Sequence, residues 1–246
     1  MFPYDPQIAA AVQNPPNSIA GVLALMQTID NTCQVTDGLK WFNWLYLSVT
    51  QAVKAKVDVG AFQQGAWLTE LDVQFASLYF TALHAELSGG NCPTCWDSMF
   101  SKRNQVNIAR IQFALAGMNA HIDHDLPMAI VATCKATSTV PQHGTPQYAD
   151  YTAINTILDG LIDSAKKTLN VTLPGDPLPG VTHVEDAIAG WDLAGFREQA
   201  WNTAQSLWGE PAAMQAARMD VIDTLVAGMN QLLLIPVPLQ EAARIA

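Results

Sequence analysis

The stretch Gly117-Met118-Asn119-Ala120-His121-Ile122-Asp123-His124-Asp125-Leu126-Pro127 places two histidines and two aspartates within five residues, directly ahead of a proline. In a helix, His121, His124 and Asp125 share one face at i, i+3 and i+4. Gly117 lies one turn earlier on that face, and Arg110 lies further back. A carboxylate beside an imidazole fixes its tautomer, and such a pair can move a proton. The same pair on adjacent turns can ligate a divalent metal. The competing structural account makes Asp125 the cap of the helix that Pro127 opens and His121 a satisfied core residue. So many ionisable groups in an apolar setting favour chemistry.

Asp72 is a second candidate. It sits among Leu71, Val73, Phe75, Leu78 and Tyr79, and at helical spacing it falls on one face with Ala76, Tyr79 and Leu83. An inward aspartate needs a partner, which would be Arg103 or Arg110 if the role is structural. Otherwise it is an acid or a metal ligand. A third grouping is aromatic. Trp191, Arg197, Trp201 and Trp208 fall on one late helix in a chain with seven tryptophans. Tryptophan walls suit an apolar ligand or a cationic intermediate, although core packing explains them as simply.

The elements that must hold these residues are helical. Residues 1–17 read as an irregular arm rich in Pro, Asn and Gln. Ser18 and Asp37 cap the next two helices, the second ending near Gly60. A third runs from about Ala66 to Leu87 and stops at Ser88-Gly89-Gly90-Asn91. A fourth is expected from near Gln105 to His121, and a fifth from Leu126 to about Thr137, after the break at Pro127. A sixth runs from about Pro146 to Leu169. A Pro/Gly loop covers 170–181, and a Thr182–Glu185 capping box opens a helix toward Trp208. Pro211 opens the last helix, with Met214, Val221, Leu225 and Leu232 expected inward, and the tail from 236 to 246 is loose. Strand signals are nearly absent. The expectation is an all-α protein, a single irregular bundle of about seven helices forming one domain over 1–246.

Half of the 246 residues are hydrophobic and 14% are charged, enough apolar material for a sizeable core. The net charge of −10 argues against nucleic acid and anionic lipid as partners. No signal segment or membrane span is visible, so a cytoplasmic protein is expected, with self-association left open. Cys92-Pro93-Thr94-Cys95 could be half of a zinc site completed by Cys33 or Cys134, but a second ligand pair is missing and free thiols are favoured. There is no G-x-S-x-G elbow, phosphate loop, dinucleotide fingerprint or H-E-x-x-H.

Phe113-Ala114-Leu115-Ala116-Gly117-Met118-Asn119-Ala120-His121-Ile122 with His124-Asp125-Leu126-Pro127 resembles the hallmark of domain-of-unknown-function family 5995. The segments around Phe42–Leu47, Leu71–Ala76, Ala149–Asn155 and Ala200–Trp201 resemble its earlier and later segments. The resemblance implies a helical intracellular domain and adds weight to Asp72, His121, Asp125 and Asp150. It supplies no reaction, and the C-x-x-C is not part of it. His121-x-x-x-Asp125 also resembles, loosely, an element of zinc-dependent phospholipase C, but five histidines are too few for a trinuclear zinc site.

These residues lead to an expectation of a small-molecule enzyme without an organic cofactor, cyclising or isomerising a hydrophobic substrate. His121 would transfer the proton, Asp125 would orient it, and Asp72 would be a second acid. Trp191, Trp201, Arg197, Tyr79, His124 and Asn119 would line the substrate pocket. One alternative is a hydrolase or lyase using one divalent metal held by Asp72, His121, Asp125 and either Asp150 or His84. Another is a non-catalytic binder of an apolar ligand.

Overall fold

The computed structural model describes residues 1–169 and 192–236, the side chains of 162–168 excepted. Every regular element among them is helical: α1 (Asp5–Val12), α2 (Ile19–Thr32), α3 (Gly38–Asp58), α4 (Gly65–Ser88), α5 (Thr94–Phe100), α6 (Arg110–Asn119), a π-helical segment (Ala120–Asp125), α7 (Leu126–Ala136), α8 (Pro146–Leu169), α9 (Leu193–Leu207) and α10 (Ala212–Leu233). The Pro/Gly loop, the Thr182–Glu185 box, Trp191 and the tail beyond Pro236 lie outside the described residues.

Capping sets several boundaries. The Ser18 hydroxyl accepts from the Gly21 amide, and the Asp37 carboxylate accepts from Leu39. Helix α4 ends at Gly89, whose φ of 69° is the left-handed conformation that glycine adopts without a steric penalty. The buried apolar residues of all the helices join in one cluster, in which the π-helical segment packs between α4, α9 and α10 and against its chain neighbours α6 and α7.

Four expectations are corrected. The N-terminal arm contains a helix, because Pro6 suits a first turn and Asp5 forms a buried ion pair with Arg103 that ties α1 down. Ile8 and Val12 are then buried against α4. The helix predicted from Gln105 begins instead at Arg110, where the Ala109 amide donates to the Gln112 side chain. The loop carrying the C-x-x-C runs into α5, whose first amides, on Thr94 and Cys95, donate to Asp223 of α10. The last helix presents the opposite face. Met214, Val221, Leu225 and Leu232 are exposed among the described residues, while Met219, Val226, Ala227 and Asn230 are buried. The smaller face lets α10 approach α5 and α6 closely. There Asn230 donates to the carbonyls of Cys95 and Ala116, and it accepts from Asn119.

Close approach also sets the α3–α6 contact. A Cβ on Gly117 would lie among the atoms of Phe42, with the Phe42 Cβ only 2.7 Å away, and one on Gly38 would strike the Phe113 ring. Glycine at these two positions is a packing requirement that brings Phe42 and α3 onto the segment carrying His121.

Candidate functional site

The π-helical turn follows from the proline two residues beyond it. Pro127 has no amide, and its ring crowds the carbonyl four residues back, so the backbone widens between α6 and α7. Positions i and i+4 still share one side of the widened turn. The His121 Nδ1 lies 3.0 Å from Asp125 Oδ2, and the His124 Nδ1 lies 2.8 Å from Asp125 Oδ1. The Trp96 indole N–H donates to Asp125 Oδ2 at 3.0 Å. Asp125 therefore does not cap α7. Its carboxylate bridges two imidazoles and an indole, and all four side chains are buried.

Charge follows from this bridge. Burial pushes the Asp125 carboxyl up, but the hydrogen bonds from His121 and His124 outweigh it, and its pKa falls below the usual carboxylate value. For His121 burial dominates and lowers its pKa, against the pull of Asp125, so the ring is neutral at pH 7. Burial also pulls His124 down. The Asp125 bond and charge, with the charges of Asp223 and Asp220, win there, and its pKa is raised. A neutral His121 that donates from Nδ1 to the carboxylate carries its lone pair on Nε2.

Rings from three helices enclose His121. Phe75 stacks on it with centroids 3.4 Å apart and planes 5° apart, and Tyr46 meets it edge-on at 4.4 Å. Phe42, Trp96 and Tyr79 stand at 5.7, 5.8 and 6.3 Å. Four of these rings are fully or almost fully buried, and Phe75 is the one with partial exposure.

Within this cage, enclosed polar atoms lack hydrogen-bond partners: His121 Nε2, Tyr46 Oη, Thr50 Oγ1 and Asp72 Oδ2. Tyr46 links them: Asp72 and Thr50 act on its phenol, and its ring meets His121. Burial raises the Tyr46 phenol first, and the charges of Asp72 and Asp125 raise it further, while the nearby Thr50 hydroxyl acts in the opposite direction without completing an aligned bond. Asp72 is half-buried as a residue, but its Oδ2 is enclosed and burial pushes its carboxyl up to about 7. Arg103, one of its two expected partners, instead answers Asp5 and Asp37, and Arg110 lies over the Trp41 ring at 4.2 Å.

The other predicted site residues fall elsewhere. Tyr79 joins the cage and donates to Asn43 Oδ1 at 3.4 Å. Asn119 ties α6 to α10 through Asn230. Asp150 accepts from the backbone amides of Gln63 and Gln64 at the start of α4, and His84 bonds the Ala9 carbonyl at 3.2 Å. The fourfold ligand set of Asp72, His121, Asp125 and Asp150 is thus not brought together. Trp201 is fully buried against Trp67, Tyr148 and Tyr151. Arg197 lies over Tyr151 at 4.1 Å and donates to Asn155 and to the Tyr151 carbonyl. These two residues form a second cluster, with no ring contact to the His121 cage among the described residues.

Sequence reasoning missed Phe42, Tyr46, Phe75 and Trp96. Phe42 and Tyr46 stand at i, i+4, and Phe75 stands three residues after Asp72, so helical spacing could have found them. Trp96 is on a seven-residue helix, too short for periodicity to reveal.

An all-α fold built around a bridged His–Asp–His unit in an aromatic cage defines the class. The chain belongs to the Family of unknown function (DUF5995), whose profile matches residues 19–236. No curated protein and no solved structure matches it. No helix among the described residues is long and apolar enough to cross a membrane.

Proposed function

We propose that this protein is a small-molecule enzyme that isomerises or cyclises a hydrophobic substrate by acid–base chemistry, without an organic cofactor. The observation that carries the reading is the convergence of partnerless polar atoms (His121 Nε2, Tyr46 Oη, Thr50 Oγ1 and Asp72 Oδ2) inside an aromatic cage. Buried polar atoms are rarely left unpaired, and such a group of them fits a site whose partner is a substrate.

The roles follow from the chemistry. His121 Nε2 takes a proton from a substrate carbon, and Asp125 holds the imidazolium that forms. The Asp72 carboxyl, pushed up to about 7, gives a proton to another carbon or to a leaving oxygen. The two groups regain their starting states by proton exchange with water. Tyr46 donates a hydrogen bond to charge developing on the substrate. Rings around the site hold an apolar substrate and stabilise cationic character in it. Phe75 covers His121 and is the partly exposed ring of the cage, so a substrate reaching Nε2 from that side must displace it.

The test is solvent-deuterium incorporation. A panel of enolisable ketones and allylic compounds is incubated with the protein in deuterated water and read by mass spectrometry. Wild type should exchange carbon-bound hydrogen in at least one compound, and His121→Gln should lose that exchange while still unfolding cooperatively above the assay temperature. Equal exchange by both proteins, or none across the panel, overturns the reading. Ligand binding that is unchanged in His121→Gln, with no exchange, favours a non-catalytic binder.

A further inference from the structure

Beyond the cage, the far side of the His–Asp–His unit opens on a separate cavity of about 400 Å³, lined by Cys92, Thr94, His124, Asp220 and Asp223 among others. No lysine or arginine lines it. One ligating atom each from Cys95, His124 and Asp223 lie within 4.8 Å of one another. With its Nδ1 engaged by Asp125, His124 has Nε2 left to coordinate. We propose that Cys95, His124 and Asp223, with Cys92 as the fourth ligand, bind one thiophilic divalent cation of the zinc class.

Thiolate, imidazole and carboxylate form a donor set that zinc accepts in a tetrahedron, where ligand atoms stand roughly 3.5 Å apart. A contraction of up to about 1.3 Å brings the three atoms to that spacing. Two cysteines separated by two residues are the usual half of such a site. The outer contacts are already in place. Asp125 holds His124 as a carboxylate holds a metal-bound imidazole, fixing which nitrogen faces the ion. The amides of Thr94 and Cys95 hold Asp223 at 2.9 and 2.8 Å. Asp220 adds negative charge at the rim. On binding, the Cys95 and Cys92 thiols release their protons to water and the two thiolates take up the ion. The sequence pointed to Cys33 or Cys134 as completing ligands; the fold supplies His124 and Asp223 instead, from the π-helical segment and α10. The ion would join α5, α10 and that segment at one point.

This inference stands apart from the acid–base reading, since it needs neither turnover nor His121. The test uses the full chain without a polyhistidine tag, reduced and freed of metal. Zinc chloride titrated by calorimetry should bind one equivalent with submicromolar affinity and raise the melting temperature. Cobalt(II) should give a thiolate-to-metal charge-transfer absorption. Cys95→Ser should weaken zinc binding at least 100-fold and abolish that absorption, and Cys92→Ser should weaken binding about tenfold. Asp223→Asn, which keeps an acceptor for the α5 amides, should weaken it as well. No zinc binding by the folded wild type, or binding that Cys95→Ser and Asp223→Asn leave unchanged, overturns the proposal and leaves Cys95 as a thiol hydrogen-bonded to Asp223.

Discussion

At the scale of single residues, the proposal makes His121 a base and Asp72 an acid. His121 is lowered from the ordinary histidine value by burial, so the active basic form persists below pH 7. Asp72 holds its proton until about pH 7. Rate should therefore rise as pH climbs through the His121 pKa and fall as Asp72 ionises, giving a bell-shaped profile. Asp72→Asn should abolish the alkaline limb, and His121→Gln should lower turnover by about 10²–10⁴-fold. Asp72 also predicts a stability effect whose sign is fixed. Its carboxyl is raised from 3.8 to about 7 in the folded protein, so between those values the folded state binds more protons than the unfolded. Stability then declines as pH rises through that window. Asp72→Asn should melt above wild type at about pH 8 and show no such advantage at about pH 4. Asp125→Asn leaves two imidazoles and an indole competing for one neutral oxygen, and it should cost about 3 kcal/mol in denaturant unfolding.

At the scale of elements, the π-helical turn and the Gly117 contact place His121 against α3. Gly117→Ala forces its new methyl into Phe42 close to the Phe42 backbone, where the ring cannot swing aside. Its expected cost is about 1–3 kcal/mol, together with displacement of the cage ring nearest α6. The corrected face of α10 is tested by contrast. Val221→Lys and Leu225→Lys should change stability by no more than about 0.5 kcal/mol, and Val226→Ala should cost about 1–2 kcal/mol. The limits of the sequence are visible in the same elements. Long helices such as α4 and α8 were legible because caps and apolar spacing agree. His121 and Asp125 were legible as a pair because i, i+4 spacing survives the widened turn. The exposed face of α10 was not, because size of apolar side chains suggested burial while close packing selected Ala227 and Asn230. Helix α5 was hidden too, since its cap comes from Asp223, far along the chain.

At the scale of the whole molecule, convergence decides which candidates belong together, and no local pattern contains it. Asp72 of α4, Tyr46 of α3 and His121 meet in the core, while Trp201 and Arg197 build a second cluster with Tyr151. The sequence grouped all of these as one pocket because it could not assign helices to neighbours. The central claim is that His121 is a neutral base with a free Nε2, and nitrogen-detected NMR of histidine-labelled protein tests it without a substrate. The account predicts that the signal missing in His121→Gln belongs to a ring protonated on Nδ1 alone at pH 7, with a titration midpoint below the ordinary histidine value. A His121 ring that is doubly protonated at pH 7, or that carries its proton on Nε2, would contradict it.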